Sequence, residues 1–253
     1  MSIYSISAPS IFAVKTALSY QVLPLNDLIG DKLTTLGPNT IGIPLARADE
    51  IIKQVYDLAS LLEFNWEESD FPSIRKAFLS RAKGEARQRG LSKSMPEIFS
   101  DMADQMKRIS VIDLQNDQEM VRLINNFQSL YLRKSLNKVP AQWAITGSKI
   151  NFVIDYLSQN KDGKDPLTLL FQWERAVEFG AVTGEDRGKL IKRFKEEFLR
   201  EFGDQGHYPP KILKGKNPVR ILWAILTPQN MGEVCSWMEI FFKGYNIERA
   251  RLF

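Results

Sequence analysis

Cysteine and histidine are nearly absent: the 253-residue chain has one of each, Cys235 and His207. A lone cysteine excludes an intrachain disulfide, and this pair leaves a Cys/His zinc site without its ligands. No apolar run reaches the roughly 18 residues that a membrane-spanning helix requires. The opening MSIYSISAPSIFAV lacks both a basic leader and a continuous apolar stretch, so no signal peptide is expected and the expected location is cytoplasmic. Acids are scarce in two places. Residues 1–30 contain only Asp27, and none lies between Asp204 and Glu233. No internal repeat is present, which argues against a solenoid.

What is present is ordinary for a globular chain, with 44% hydrophobic and 25% charged residues and a formal net charge of +4. The length suits one large or two modest domains with a sizeable core. Residues 3–7 and 19–23 alternate in a β-like way and are bounded by Pro9 and Pro24. Helical spacing of apolar residues then predicts helices over residues 27–36, 49–62, 96–109, 117–132, 148–158, 166–179, 185–202, 218–226 and 231–245. Asn26 or Asp27 can cap the first of these, and Gly37-Pro38 stops it. LNKVPAQ, residues 136–142, reads as a linker in which Pro140 ends the preceding helix. The expected fold is mainly α with a short N-terminal β portion, an α+β class, in two domains: residues 1–136, and a helical C-terminal domain of residues 141–253.

Chemistry concentrates between residues 26 and 62. Lys32 shares a helix ridge with Leu28 and Leu36. Burying an ammonium is costly, so Lys32 either snorkels to water or meets an acidic group, a protein carboxylate or a ligand phosphate. In the next helix Ile51, Val55, Leu58 and Leu62 form the apolar stripe, and Asp57 lies well off it, beside Lys53. Asp57 then either forms a solvated ion pair with Lys53 or faces a second domain or a phosphate. Arg47, after the breaker-rich loop PNTIGIPLAR, is solvated or reaches a phosphate.

Asp31-Lys32-Leu33, followed by Lys53-Gln54-Val55-Tyr56-Asp57-Leu58, resembles the later motif of the AbiEii/AbiGii nucleotidyltransferase toxins, members of the DNA polymerase β-like superfamily. The resemblance runs over residues 22–62 and more loosely to residue 127. It implies catalytic roles for Lys32 and Asp57, nucleotide-phosphate contacts for Lys32, Arg47 and Lys53, an NTP substrate, Mg²⁺ and a transfer RNA acceptor. Lys53-Gln54 departs from the family's Arg-Asp. Upstream of the D-K-L motif the family carries a Gly-Ser turn and two carboxylates one residue apart, which hold Mg²⁺. Residues 1–30 do not contain them. Gly147-Ser148 with Asp155 only imitates this element, because residues 149–157 have helical periodicity, and Asp162 and Asp165 sit in a turn-like loop. The resemblance thus implies a Mg²⁺ site outside this chain, supplied by another polypeptide or an upstream-encoded segment. It also makes the β-like runs the tail of an incomplete sheet.

Two basic tracts are candidates for RNA contact. Residues 73–94 carry Arg75, Lys76, Arg81, Lys83, Arg87, Arg89 and Lys93 against one acid, Glu85. They form either a solvated helix face or a grip on an RNA backbone. Lys211, Lys214 and Lys216, with Arg220, lie near His207, Tyr208 and Trp223, a pattern that suits single-stranded RNA or a loop whose aromatics serve the core. Cys235, in an apolar run, reads as core packing. The functional expectation is a nucleotidyltransferase toxin of a toxin-antitoxin or abortive-infection system that modifies RNA when completed by its metal-binding core. Two alternatives stand beside it: a non-catalytic RNA-binding or partner-binding helical module, and an antitoxin-like protein that binds a toxin.

Overall fold

The computed structural model describes residues 4–7, 19–65, 70–159, 166–178, 185–206 and 210–244. Among them are eleven α-helices: α1 (Leu25–Leu33), α2 (Ala48–Asn65), α3 (Phe71–Gln88), α4 (Met95–Ser110), α5 (Gln118–Tyr131), α6 (Pro140–Ser158), α7 (Pro166–Val177), α8 (Glu185–Phe202), α9 (Pro210–Leu213), α10 (Pro218–Ile225) and α11 (Met231–Gly244).

The fold is all-α, which corrects the expected α+β class. Tyr4–Ser7 and Ser19–Val22 pair antiparallel, with Tyr4 opposite Val22. A ribbon of two four-residue segments is too small to act as a β layer, since an independent sheet needs three or more strands or a packed face. All described core residues lie instead in helices and the turns that join them.

Local chemistry sets the helix starts. Asp70 accepts from Ser73 N at 3.0 Å, Asp117 from Met120 N at 3.0 Å and Asn217 from Arg220 N at 2.7 Å. Ser94 and Glu97 form a reciprocal capping box that starts α4. α1 differs from expectation: it begins at Leu25 behind Pro24 without a side-chain cap, and Asn26 Oδ1 instead accepts from Asp70 N. A 3₁₀ turn, Thr34–Leu36, continues α1 to Gly37. Pro140 is the first residue of α6, not the end of α5, because a missing N–H costs nothing in a helix's first turn.

The described core is continuous across the chain, from Ile29 on α1 to Phe242 on α11. α4 against α6 and α1 against α3 are the most extensively packed pairs, and α6 also meets α2 and α10. Two glycines permit the close approaches. A Cβ on Gly30 would lie 2.7 Å from Phe78 N, and one on Gly147 would lie 2.7 Å from Ser110 N. The loop after α1 is clamped by the buried Asp101, which accepts from Asn39 N, Asn39 Nδ2 and Thr40 Oγ1, each at 2.8 Å. A second clamp ties α10 to the end of α4. There Arg220, with no solvent exposure, donates from Nη2 to Ser110 O at 2.6 Å and to Asp113 Oδ1 at 3.0 Å.

Candidate functional site

α1 and α2 bring together Lys32 and Asp57, which are 25 positions apart. α1 buries Ile29 and Leu33, and α2 buries Val55, Leu58 and Leu62. Packing these apolar stripes turns the flanking polar residues toward each other. Lys32 Nζ donates to Asp57 Oδ2 at 2.9 Å and to Gln54 Oε1 at 2.8 Å. Lys53 Nζ approaches the same carboxylate oxygen at 3.6 Å. The Lys32 and Asp57 side chains retain 20% and 33% of their exposure, so the pair sits at the surface end of the interface. Of the two environments open to Lys32 from its sequence, the structure shows the protein carboxylate.

The geometry has a chemical consequence. An ammonium has three N–H donors, and Gln54 and Asp57 take two of them. Among the described residues no acceptor takes the third, which sits at a partly open position. Lys32, Lys53 and Asp57 together carry one excess positive charge. The neutral Gln54 holds Lys32 without cancelling that excess. The arrangement suits an anionic oxygen such as that of a phosphate.

It does not suit Mg²⁺. Asp57 is already engaged by two lysines, and the nearby Asp31 pairs with Arg81 Nε at 3.1 Å. No group of three potential metal ligands occurs among the described residues. Octahedral oxygen coordination therefore lacks its donors here, and no metal-dependent step is assigned to these residues. Arg47, the remaining phosphate candidate, forms a bidentate pair with Glu50, with Nε to Oε1 at 2.7 Å.

The basic residues of α3 and the turn after it disperse. Arg75 Nε donates to Leu157 O at 2.8 Å, and Arg81 holds Asp31. Arg89 donates to Gly42 O and pairs with Glu85, and Lys93 pairs with Glu97. Lys76, Lys83 and Arg87 are exposed. Farther along, Lys211 and Lys214 are exposed, but Lys216 pairs with Asp113 at 3.0 Å. Trp223 is buried and donates from Nε1 to Glu174, so it offers no stacking face. His207 and Tyr208 lie outside the described residues.

One charged cluster escaped the sequence reading. Lys149, whose side chain is 6% exposed, lies between Glu63 at 3.1 Å and Glu174 at 2.8 Å. Its ammonium also rests 5.0 Å from the centre of the Phe171 ring. Lys149, Glu63 and Glu174 line a cavity of about 550 Å³ with Lys138, which donates to Thr146 Oγ1 at 3.1 Å. Burial pushes the Glu174 carboxyl above its ordinary range against the pull of Lys149, and burial likewise lowers the Lys138 pKa. The available signal was a lone lysine between the apolar runs of the Trp143-to-Leu157 stretch of α6.

No helix among the described residues is long and apolar enough to cross a membrane. Comparison of the chain with protein-family models, curated proteins and solved structures finds no match.

Proposed function

We propose that this chain is the helical, phosphate-contacting part of an RNA-modifying nucleotidyltransferase of the AbiEii type, acting in the cytoplasm and completed by a metal-carrying segment outside these 253 residues. The observation that supports this reading is the contact between Lys32 and Asp57, the two residues that the motif resemblance singles out, at 2.9 Å across two helices. Lys32 neutralises charge on the triphosphate. Asp57 and Gln54 position Lys32, and Lys53 adds a second cation. Phosphoryl transfer depends mainly on positioning and charge neutralisation, so dividing these parts between polypeptides is chemically consistent. Exposed Lys76, Lys83 and Arg87 on α3 supply backbone contacts for the acceptor RNA.

The test is transfer of labelled nucleotide from each of the four triphosphates to total transfer RNA with Mg²⁺. It is run with this chain alone and with any upstream-encoded segment added. Transfer by the completed protein that disappears in Lys32→Ala, while that variant keeps its helical circular dichroism and melting temperature, supports the reading. Transfer unaffected by Lys32→Ala refutes the role given to that residue. The exposed Lys76, Lys83 and Arg87 suit equally one alternative, a non-catalytic RNA-binding module. That alternative predicts Mg²⁺-independent RNA binding that weakens steeply with salt and no transfer in any combination.

A further inference from the structure

Positive charge is left uncompensated in a groove between α8 and α9. Lys192, Lys195 and Arg200 of α8 line it with Lys211 and Lys214, and the only acid among the described residues of the lining is Glu196. Five cations against one acid give a local excess of +4, equal to the formal net charge of the whole chain. None of the five has a carboxylate partner within ion-pair distance among the described residues. Their neighbours on α8 do: Arg193 pairs with Glu197 at 2.6 Å and Lys189 approaches Asp186 at 3.9 Å.

The floor between these cations is apolar. Ile191 and Leu199 lie eight positions apart on one side of α8 and face Pro210, enclosing about 540 Å³. Phe194 and Phe198 are buried in the core beneath this floor and are not part of it, so among the described residues the lining contains no aromatic face. We infer that this groove docks an acidic amphipathic helix of a protein partner. An apolar floor between charged rims matches a helix that buries one stripe and flanks it with carboxylates. A single-stranded nucleic acid fits less well, because it draws its affinity from base stacking on aromatic rings as well as from cations. Eight residues of α8 span about 12 Å, a little over two turns of a docked helix, so the contact is short and of modest affinity. The site is separate from Lys32 and does not depend on the function assigned to that residue.

The experiment measures fluorescence anisotropy of a labelled synthetic helical peptide, with leucines on one stripe and glutamates flanking it, titrated with the full chain. A scrambled peptide of identical composition and a labelled single-stranded RNA are measured in parallel. The expected result is binding of the amphipathic peptide at least about tenfold tighter than the scrambled one, a difference of about 1.4 kcal/mol. Binding is lost in a Lys192→Glu, Lys195→Glu, Lys214→Glu variant and unchanged in Lys32→Ala. These substitutions are on exposed or half-exposed side chains, and circular dichroism verifies that the variant remains folded. No binding, equal binding of the two peptides, or undiminished binding by the charge-reversed variant overturns the inference. So does RNA that binds more tightly than the peptide and is lost in the same variant, which makes the groove a nucleic-acid surface.

Discussion

Replacing Asp113 by Asn probes the clamp between α4 and α10. Asp113 accepts from Arg220 Nη2 at 3.0 Å and from Arg220 Nε at 3.3 Å, and it pairs with Lys216 Nζ at 3.0 Å. The Arg220 side chain has no exposure and that of Asp113 only 5%. Asparagine keeps the shape and removes the charge, leaving a guanidinium without exposure beside a neutral amide. Breaking a buried pair in this way costs about 3–5 kcal/mol. With a urea slope of about 3 kcal/mol/M, the unfolding midpoint falls by about 1–2 M. Burial alone would raise the Asp113 carboxyl, but the hydrogen bonds and charge of Arg220, then those of Lys216, outweigh it and hold the pKa below its ordinary value of 3.8. The stabilisation is therefore present above that value and is lost as pH falls through the lower, folded pKa. The wild type loses stability on acidification with a component that Asp113→Asn lacks. Combining Asp113→Leu with Arg220→Met removes both buried charges and recovers most of the loss, since Lys216 can turn to solvent. A midpoint shift of Asp113→Asn below about 0.3 M, equivalent to about 1 kcal/mol, refutes the reasoning.

Three further outcomes follow from buried contacts. Lys149→Met strands Glu63 and Glu174 and costs about 3–5 kcal/mol at neutral pH. The raised Glu174 pKa means that the folded state holds its proton more tightly than the unfolded chain, so stability falls as pH rises through the folded value. The loss in Lys149→Met accordingly grows as pH rises through the Glu174 titration, and a loss independent of pH would contradict the assignment. Gly30→Ala places a methyl against Phe78 N and the Ala77 side chain and destabilises by about 1–3 kcal/mol; an unchanged thermal midpoint would show that α1 and α3 are not in close contact. Burial first, and then the charge of Glu239, pushes the Cys235 thiol up to about 11, so the native protein reacts slowly with a thiol reagent at neutral pH and rapidly in denaturant. Fast native labelling would place Cys235 at the surface.

Much of the helical scaffold was legible because its signals are local. Glu185–Phe202 carries Leu190, Phe194, Phe198 and Phe202 on one ridge, and the helix has those ends. Pro166 and Pro218 mark first helical positions in the structure as they do in the sequence. The sequence leaves Pro140 ambiguous, because proline after an extended residue fits both the end of one helix and the start of another, and its neighbours do not decide between them. The β-like runs at the N-terminus alternate correctly, but alternation does not say how many strands will share a sheet, and that number sets the fold class. For the site, the Lys32 ridge and the off-stripe Asp57 left open a meeting that only helix packing determines. The partner of Arg75 is a carbonyl 82 positions away, and that of Lys149 a carboxylate 86 positions away. Charge counting along a helix cannot reveal such contacts, which is why the α3 tract looked more available to RNA than it is.

The account rests most directly on Lys32 as a phosphate ligand. The decisive measurement is calorimetric titration of the folded chain with each nucleoside triphosphate in the absence of Mg²⁺, comparing wild type and Lys32→Met. The account predicts binding by the wild type and an affinity at least about tenfold lower in Lys32→Met. Wild-type binding matched by the variant, or no binding at all, would contradict it.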